Sequence, residues 1–183
     1  MQHVTVDYPQ AYVNYLVEFH ATRDFFECHE ILEEYWIENG REKTWLLLIQ
    51  LAVGLYHQRR GNLRGSLKLF DKVFKLLDRD EHRLHALGIY EGQLRKALEE
   101  RYEEAANGWP YRPFAIPLVE QVEHICRQQA SEHGLEWNLD DRSIDRSVLH
   151  RHLLRDRSEV EAARAEALNK RQQVSLDRSN ETK

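Results

Sequence analysis

His29 and Glu33 stand four residues apart in the run Phe25-Phe26-Glu27-Cys28-His29-Glu30-Ile31-Leu32-Glu33-Glu34-Tyr35-Trp36. On a helix that spacing brings an imidazole and a carboxylate within hydrogen-bonding reach of each other. Advancing about 100° per residue from Phe25 gathers Ile31, Tyr35, Cys28, Leu32, Phe25 and Trp36 into one apolar arc. His29 and Glu33 follow at about 40° and 80°, and Phe26 and Ile37 lie just beyond them. Glu27, Glu30 and Glu34 take the remaining, wet side. A His–Glu pair inside an apolar face is something the fold has to satisfy or use. Burial raises a carboxyl pKa and lowers an imidazole pKa, while attraction between the two opposes both shifts.

A second run repeats the pattern. Thr44 to Gln58 is apolar nearly all round, the mark of a central helix. Its polar interruptions, Gln50 and His57, are seven residues apart and share a face. A buried amide or imidazole without a partner costs about 1–3 kcal/mol. The economical arrangement sets Gln50 and His57 opposite His29 and Glu33, with Arg59, Arg60 and Asn62 near the same end. Three chemistries fit: a hydrogen-bond network that fixes helix register, a ligand or acid–base pocket walled by aromatic rings, and a metal site. In the last, His29, Glu33 and His57 supply two imidazoles and a carboxylate. The candidate site is the polar cluster His29, Glu33, Trp36, Gln50, His57 and Asn62, read as ligand-binding. No catalytic residue and no metal ligand is assigned, and no cofactor is implied. The His29-Glu30 dipeptide is not a zincin motif, because Glu33 rather than a second His falls at the fourth position after His29.

Other candidates carry less. Cys28 and Cys126 fit no Cys-x-x-Cys spacing and read as small core residues. His82 and His85 read as part of a solvated turn, His150 and His152 as a poor chelate on different helix faces, and Trp109 and Trp137 as packing residues. There is no phosphate-binding glycine loop, nucleophile elbow or paired zinc ligand set.

The elements that must position the cluster are helices. Apolar spacing predicts them near 8–20, 24–38, 42–59, 63–78, 89–106 and 114–131, with another near 143–170. Gly40 and Gly61 close the second and third, Asn62 caps the fourth, and short connections make neighbours antiparallel. None of the four prolines falls between Pro9 and Pro110, which favours helices. The Pro-rich stretch Trp109 to Pro117 is an extended crossing segment. At 183 residues and 21.8 kDa the chain suits one domain and a tail. With 26 basic and 31 acidic side chains, no gross positive field invites nucleic acid or anionic lipid. Trp45 to Tyr56, the most apolar stretch, is too short to cross a bilayer. The opening Met-Gln-His-Val-Thr lacks a signal-peptide pattern, so a reducing cytoplasm is expected. Composition shifts near residue 140, from 16 basic and 23 acidic side chains before it to 10 and 8 after it.

Three motifs occur in order: Phe26-x-x-His29-Glu30-x-Leu32-Glu33-x-x-Trp36, then Leu48-Ile49-Gln50-Leu51-Ala52 followed by His57, then Gly61-Asn62-x-x-Gly65. Over residues 18–80 the chain resembles the helical bacterial and archaeal family known as domain of unknown function, family 309. The resemblance implies a small all-α protein and brings no established activity. Ser66 stands where members often have Ala. Nothing in the resemblance reaches beyond residue 140.

The expectation is therefore all-α: a compact bundle of about five to seven antiparallel helices over 1–140, with a charged helical C-terminal extension over 141–183 whose last ten residues fray. The function expected is that of a cytoplasmic binding or interaction module for a small ligand or a protein partner. The alternative is a metal-assisted or acid–base, hydrolase-like enzyme using His29, Glu33 and His57. Nucleic acid is not expected as a partner, since Asp141, Asp145 and Asp156 interleave with the arginines of 142–157, and neither is a membrane, given the short apolar run and the charge balance. A homo-oligomer would form through the extension.

Overall fold

A computed structural model describes residues 7–79, 83–137 and 146–150. The chain divides after His150 into two compact units, and the first, Met1–His150, holds every described residue. The expected extension lies, apart from 146–150, outside the described residues. The fold is all-α: α1 Gln10–Val17, α2 Phe25–Glu38, α3 Lys43–Arg59, α4 Leu63–Leu77, α5 Glu91–Ala106, α6 Glu120–Glu132 and a single turn, α7, Arg146–Leu149. Strand pairing among the described residues is limited to one antiparallel bridge, Ile89 to Leu118.

Local chemistry sets the helix ends. The Asp24 carboxylate accepts from the Glu27 N–H at 3.0 Å and caps α2. Asn62 does the same for α4 through the Gly65 N–H at 3.1 Å. Between α3 and α4 the chain reverses at Gly61, whose φ of +78° suits a residue without a Cβ. Gly54 serves a different need, since a Cβ there would come within 2.6 Å of the Phe70 ring. Its absence lets α4 lie close against α3.

α3 is the central helix, as its apolar run predicts. Only Leu46, Gln50, Val53, His57 and Arg59 of its interior are half-exposed, and Leu47, Leu48, Leu51, Ala52 and Leu55 are fully buried. α2 packs antiparallel to it. Phe26 meets Tyr56 with ring centroids 5.9 Å apart, and Tyr35 meets Trp45 at 5.1 Å. These two contacts set the register: Gln50 is level with Ile31, between His29 and Glu33, whereas His57 is level with Asp24, beyond the start of α2.

The Pro-rich segment is extended and held by buried side chains from two helices. α1 runs on into a π turn, Glu18–Thr22, and ends at Arg23 with a φ of 58°. A left-handed conformation is unfavourable for a residue with a Cβ, but here the guanidinium donates to the Phe19 and Phe114 carbonyls. Arg101 of α5 donates to the carbonyls of Arg112 and Pro113, the latter at 3.1 Å. Both arginines are buried. His20 accepts the Ile116 N–H on Nε2 at 3.0 Å and places Nδ1 2.9 Å from the Leu16 carbonyl. The ring is thus the neutral tautomer with its proton on Nδ1.

That anchoring corrects the expected sixth helix. It starts at Glu120, not near 114, because Pro117 bars a helical residue before it and the neighbouring N–H groups are used elsewhere. Ile116 donates to His20, and Val119 donates to the Gly88 carbonyl at 2.8 Å. Trp137 packs as expected, stacked 4.6 Å from the His20 ring. Trp109 does not: it follows the left-handed Gly108 and is 58% exposed. Both cysteines are free, fully buried core residues. His85 is exposed on a short 3-10 turn, and His82 and His152 lie outside the described residues.

Candidate functional site

On α2, Phe26, His29, Glu33 and Trp36 repeat at helical spacing and are all half-buried. On α3, Leu46, Gln50, Val53 and His57 do the same. The two stripes border the α2–α3 seam, and they carry five of the six site residues read from the sequence. The sixth, Asn62, sits exposed at its α4 end.

The polar side chains of the seam form two groups rather than one network. In the first, His29 Nε2 lies 3.1 Å from Glu33 Oε2, and its Nδ1 lies 3.4 Å from Glu30 Oε1. In the second, the Asn62 amide donates to His57 Nδ1 at 3.1 Å while the same side chain caps α4. Partial burial, and then the Arg60 charge, lower the His57 pKa, so the ring favours the neutral form that accepts this bond. Among the described residues no hydrogen bond joins the two groups. Register explains the separation, since His57 is level with Asp24, about 7 Å along the axis from His29 at 1.5 Å per residue. Only rings bridge the gap: Phe26 touches both His29, at 5.8 Å, and Tyr56.

Three atoms on this face are shielded from solvent yet have no hydrogen-bond partner: His29 Nδ1, Trp36 Nε1 and Gln50 Oε1. Each belongs to a residue that is itself part-exposed. The Trp36 ring is covered by the Arg41 guanidinium, 5.3 Å from its centroid. At the far end Arg60 lies over Tyr56 at 5.3 Å and donates to His150 Nδ1 at 3.2 Å.

Glu30 is the residue that sequence reasoning set aside. Placed on the wet side by the helical wheel, its carboxylate still reaches the His29 ring. One ligand atom from each of His29, Glu30 and Glu33 lies within 4.8 Å of the other two, the one such group among the described residues. The signal for it was in plain view, as adjacent residues whose long side chain curls back along the helix. His57, the third member of the metal set read from the sequence, is not in the group.

Open depressions occur elsewhere on the surface. One of about 560 Å³ lies by Tyr35, Trp45 and Arg83, one of about 940 Å³ by Tyr90, His124 and Arg127, and one of about 390 Å³ by Asn14, Gln129 and His133. None of them takes in His29, Glu33, Gln50 or His57.

The fold and this face define a small all-α protein with a polar seam between its second and third helices. The domain of unknown function DUF309 matches residues 12–69, the stretch from α1 into α4 that builds the seam. Over 168 residues the chain is 38% identical to the uncharacterised protein YpuF of Bacillus subtilis (strain 168), covering 90% of this chain and 97% of that protein. The chain belongs to the DUF309 family. No solved structure matches it. No described helix is long and apolar enough to cross a membrane.

Proposed function

We propose that the α2–α3 seam is a binding face and that the protein acts as a cytoplasmic binding module for a small polar ligand. The observation that carries this reading is the set of shielded, unpartnered atoms on half-exposed side chains. A donor from Trp36 and an acceptor from Gln50 lie on facing stripes, and both lack an internal partner. Hydrogen-bonding atoms left unsatisfied in a folded protein are unfavourable by about 1–3 kcal/mol each, and a ligand offering one acceptor and one donor relieves both. Aromatic walls from Phe26, Tyr56 and Trp36 supply the apolar part of such a site. The two free, buried thiols support the reducing compartment.

The test is an NMR screen of the full chain against mixtures of small amides, carboxylates and alcohols. Hits are expected to shift amides of 29–36 and 46–57 together, and Gln50→Ala to weaken them. Hits confined to the depression beside Tyr90 and His124, or none that move the seam, would remove this reading.

A further inference from the structure

The arrangement of His29, Glu30 and Glu33 points to more than an ion pair. We propose that these three side chains hold a divalent first-row transition metal of the zinc type, with the remaining coordination positions open to water or ligand. The proposal rests on the reading of the seam as a binding face and adds what that face holds.

Three features carry it. The first is distance. Two ligands about 2.0–2.1 Å from a tetrahedral metal are separated by about 3.3 Å. His29 Nε2 and Glu33 Oε2 are already 3.1 Å apart, and a ligand atom of Glu30 lies within 4.8 Å of each partner. Glu33 needs little movement to admit an ion at Nε2, whereas Glu30, which faces Nδ1 at 3.4 Å, swings round the ring edge to join them. The second is charge. An imidazole and two carboxylates give the site two negative charges, so a divalent cation makes it neutral. Among the described residues Glu33 has no ion-pair partner except His29, so no described lysine or arginine competes for that carboxylate. The third is shielding. His29 is 24% exposed, Glu30 35% and Glu33 46%, and the imidazole edge nearest Glu30 is shut off from solvent without a hydrogen bond. A wholly exposed acidic patch has none of that protection.

The donor set also sets the preference among ions. Magnesium and calcium favour all-oxygen shells, whereas an imidazole suits zinc and its neighbours. Affinity should rise from manganese to zinc along the usual order of divalent ions. Three protein ligands fall short of a closed structural site and leave at least one place for exchange.

The experiment uses the full chain, tag-free and stripped with a chelator that is then removed. Zinc is titrated against a chromophoric indicator, manganese and magnesium are titrated by calorimetry, and cobalt(II) is added for its visible spectrum. One zinc per chain at micromolar affinity or tighter is expected, with weaker manganese and no magnesium binding. His29→Gln and Glu33→Gln should each weaken zinc roughly tenfold or more and erase the cobalt bands, Glu30→Gln should weaken it by a smaller factor, and His57→Gln should leave it unchanged. Circular dichroism checks each fold. Should His29→Gln unfold, Glu33→Gln decides the matter, because its side chain is nearly half exposed. Zinc that fails to saturate a single site below about 100 µM, or that binds Glu33→Gln as tightly as wild type, overturns the proposal. So does a loss with His57→Gln equal to that with His29→Gln. Ligand hits at Gln50 and Trp36 that persist in chelated protein would show the seam reading intact while the metal fails.

Discussion

Two polar regions of this bundle look alike in composition and differ in how their hydrogen bonds close. Beneath the Pro-rich crossing segment, His20, Arg23 and Arg101 are buried, and each is bonded to main-chain carbonyls or N–H groups of the same fold. Along the α2–α3 seam, His29, Trp36 and Gln50 are half-exposed and keep atoms with no hydrogen-bond partner. In the first region the fold supplies main-chain partners to all three side chains, although Arg101 Nε meets Glu104 only as an ion-pair contact at 3.4 Å. On the proposed reading, a ligand completes the second. A polar side chain bonded to backbone of the same fold marks architecture; missing partners point to recognition only where the side chain is half-exposed, since Gln58 and Ser66 also lack hydrogen bonds but are buried beyond a ligand's reach.

The largest effect should come from opening the closed region. Arg101→Met keeps the bulk of the stem but strips the Arg112 and Pro113 carbonyls of their donor and leaves Glu104 without its buried neighbour. Loss of one member of a buried charged network is destabilising by about 3–5 kcal/mol. Urea unfolding monitored by circular dichroism measures it. A loss below about 0.5 kcal/mol, the usual scale for a surface substitution, would place the two regions on the same footing.

Acid should find the same region through His20. Burial, the dominant cause, lowers its pKa from 6.5 to about 4, with the nearby Arg23 charge adding to the effect. The unfolded chain therefore binds the proton more readily than the native one. The stability this neutral ring contributes is fully present above pH 6.5 and is lost as pH falls through 4. The span corresponds to on the order of 3 kcal/mol. Unfolding free energies of wild type and His20→Gln across that window should differ in slope, the wild type falling faster. Parallel profiles would show that the ring is not held neutral.

Much of this was legible beforehand, and the misses have physical causes. The six long helices, the Asn62 cap and the Gly61 reversal follow from periodicity and end chemistry, which are local. The pairing of His29 with Glu33, four residues apart, is also local; that of His57 with Asn62 is equally local but was not read from the sequence. The single four-residue cluster was not obtained, because whether Gln50 and His57 reach His29 depends on the register of α2 against α3, and rings at Phe26–Tyr56 and Tyr35–Trp45 set it. His20, Arg23 and Arg101 escaped notice for the same reason: their partners stand up to 96 residues away. Glu30 escaped because a helical wheel places a Cβ, not the end of a long side chain.

A smaller effect tests whether the seam holds two groups or one. Double-mutant cycles should give His29–Glu33 and His57–Asn62 couplings of about 0.3–1 kcal/mol, the range for part-exposed pairs. The cross pairs, His29–His57 and Glu33–His57, should add within about 0.3–0.5 kcal/mol, as independent sites do. Strong coupling of His57 to either α2 residue would restore a single buried network and erase the contrast with the closed region.

The smallest effect is the sharpest for the seam itself. If Gln50 were a structural amide, Gln50→Leu would remove a partner from a network and cost about 1–3 kcal/mol. Its Oε1 has no partner to lose, however, and its neighbours on α3, Leu46 and Val53, are apolar. Leucine is close to it in size, favours helix slightly more than glutamine does, and takes an unsatisfied acceptor out of a shielded position. Thermal unfolding should therefore show Gln50→Leu at or above wild-type stability, by up to about 1 kcal/mol, while any ligand bound at the seam is weakened. A variant that is stabilised and binds less is the expected signature of a residue retained for recognition. Destabilisation by 1 kcal/mol or more would instead assign Gln50 to the architecture, beside His20 and Arg101.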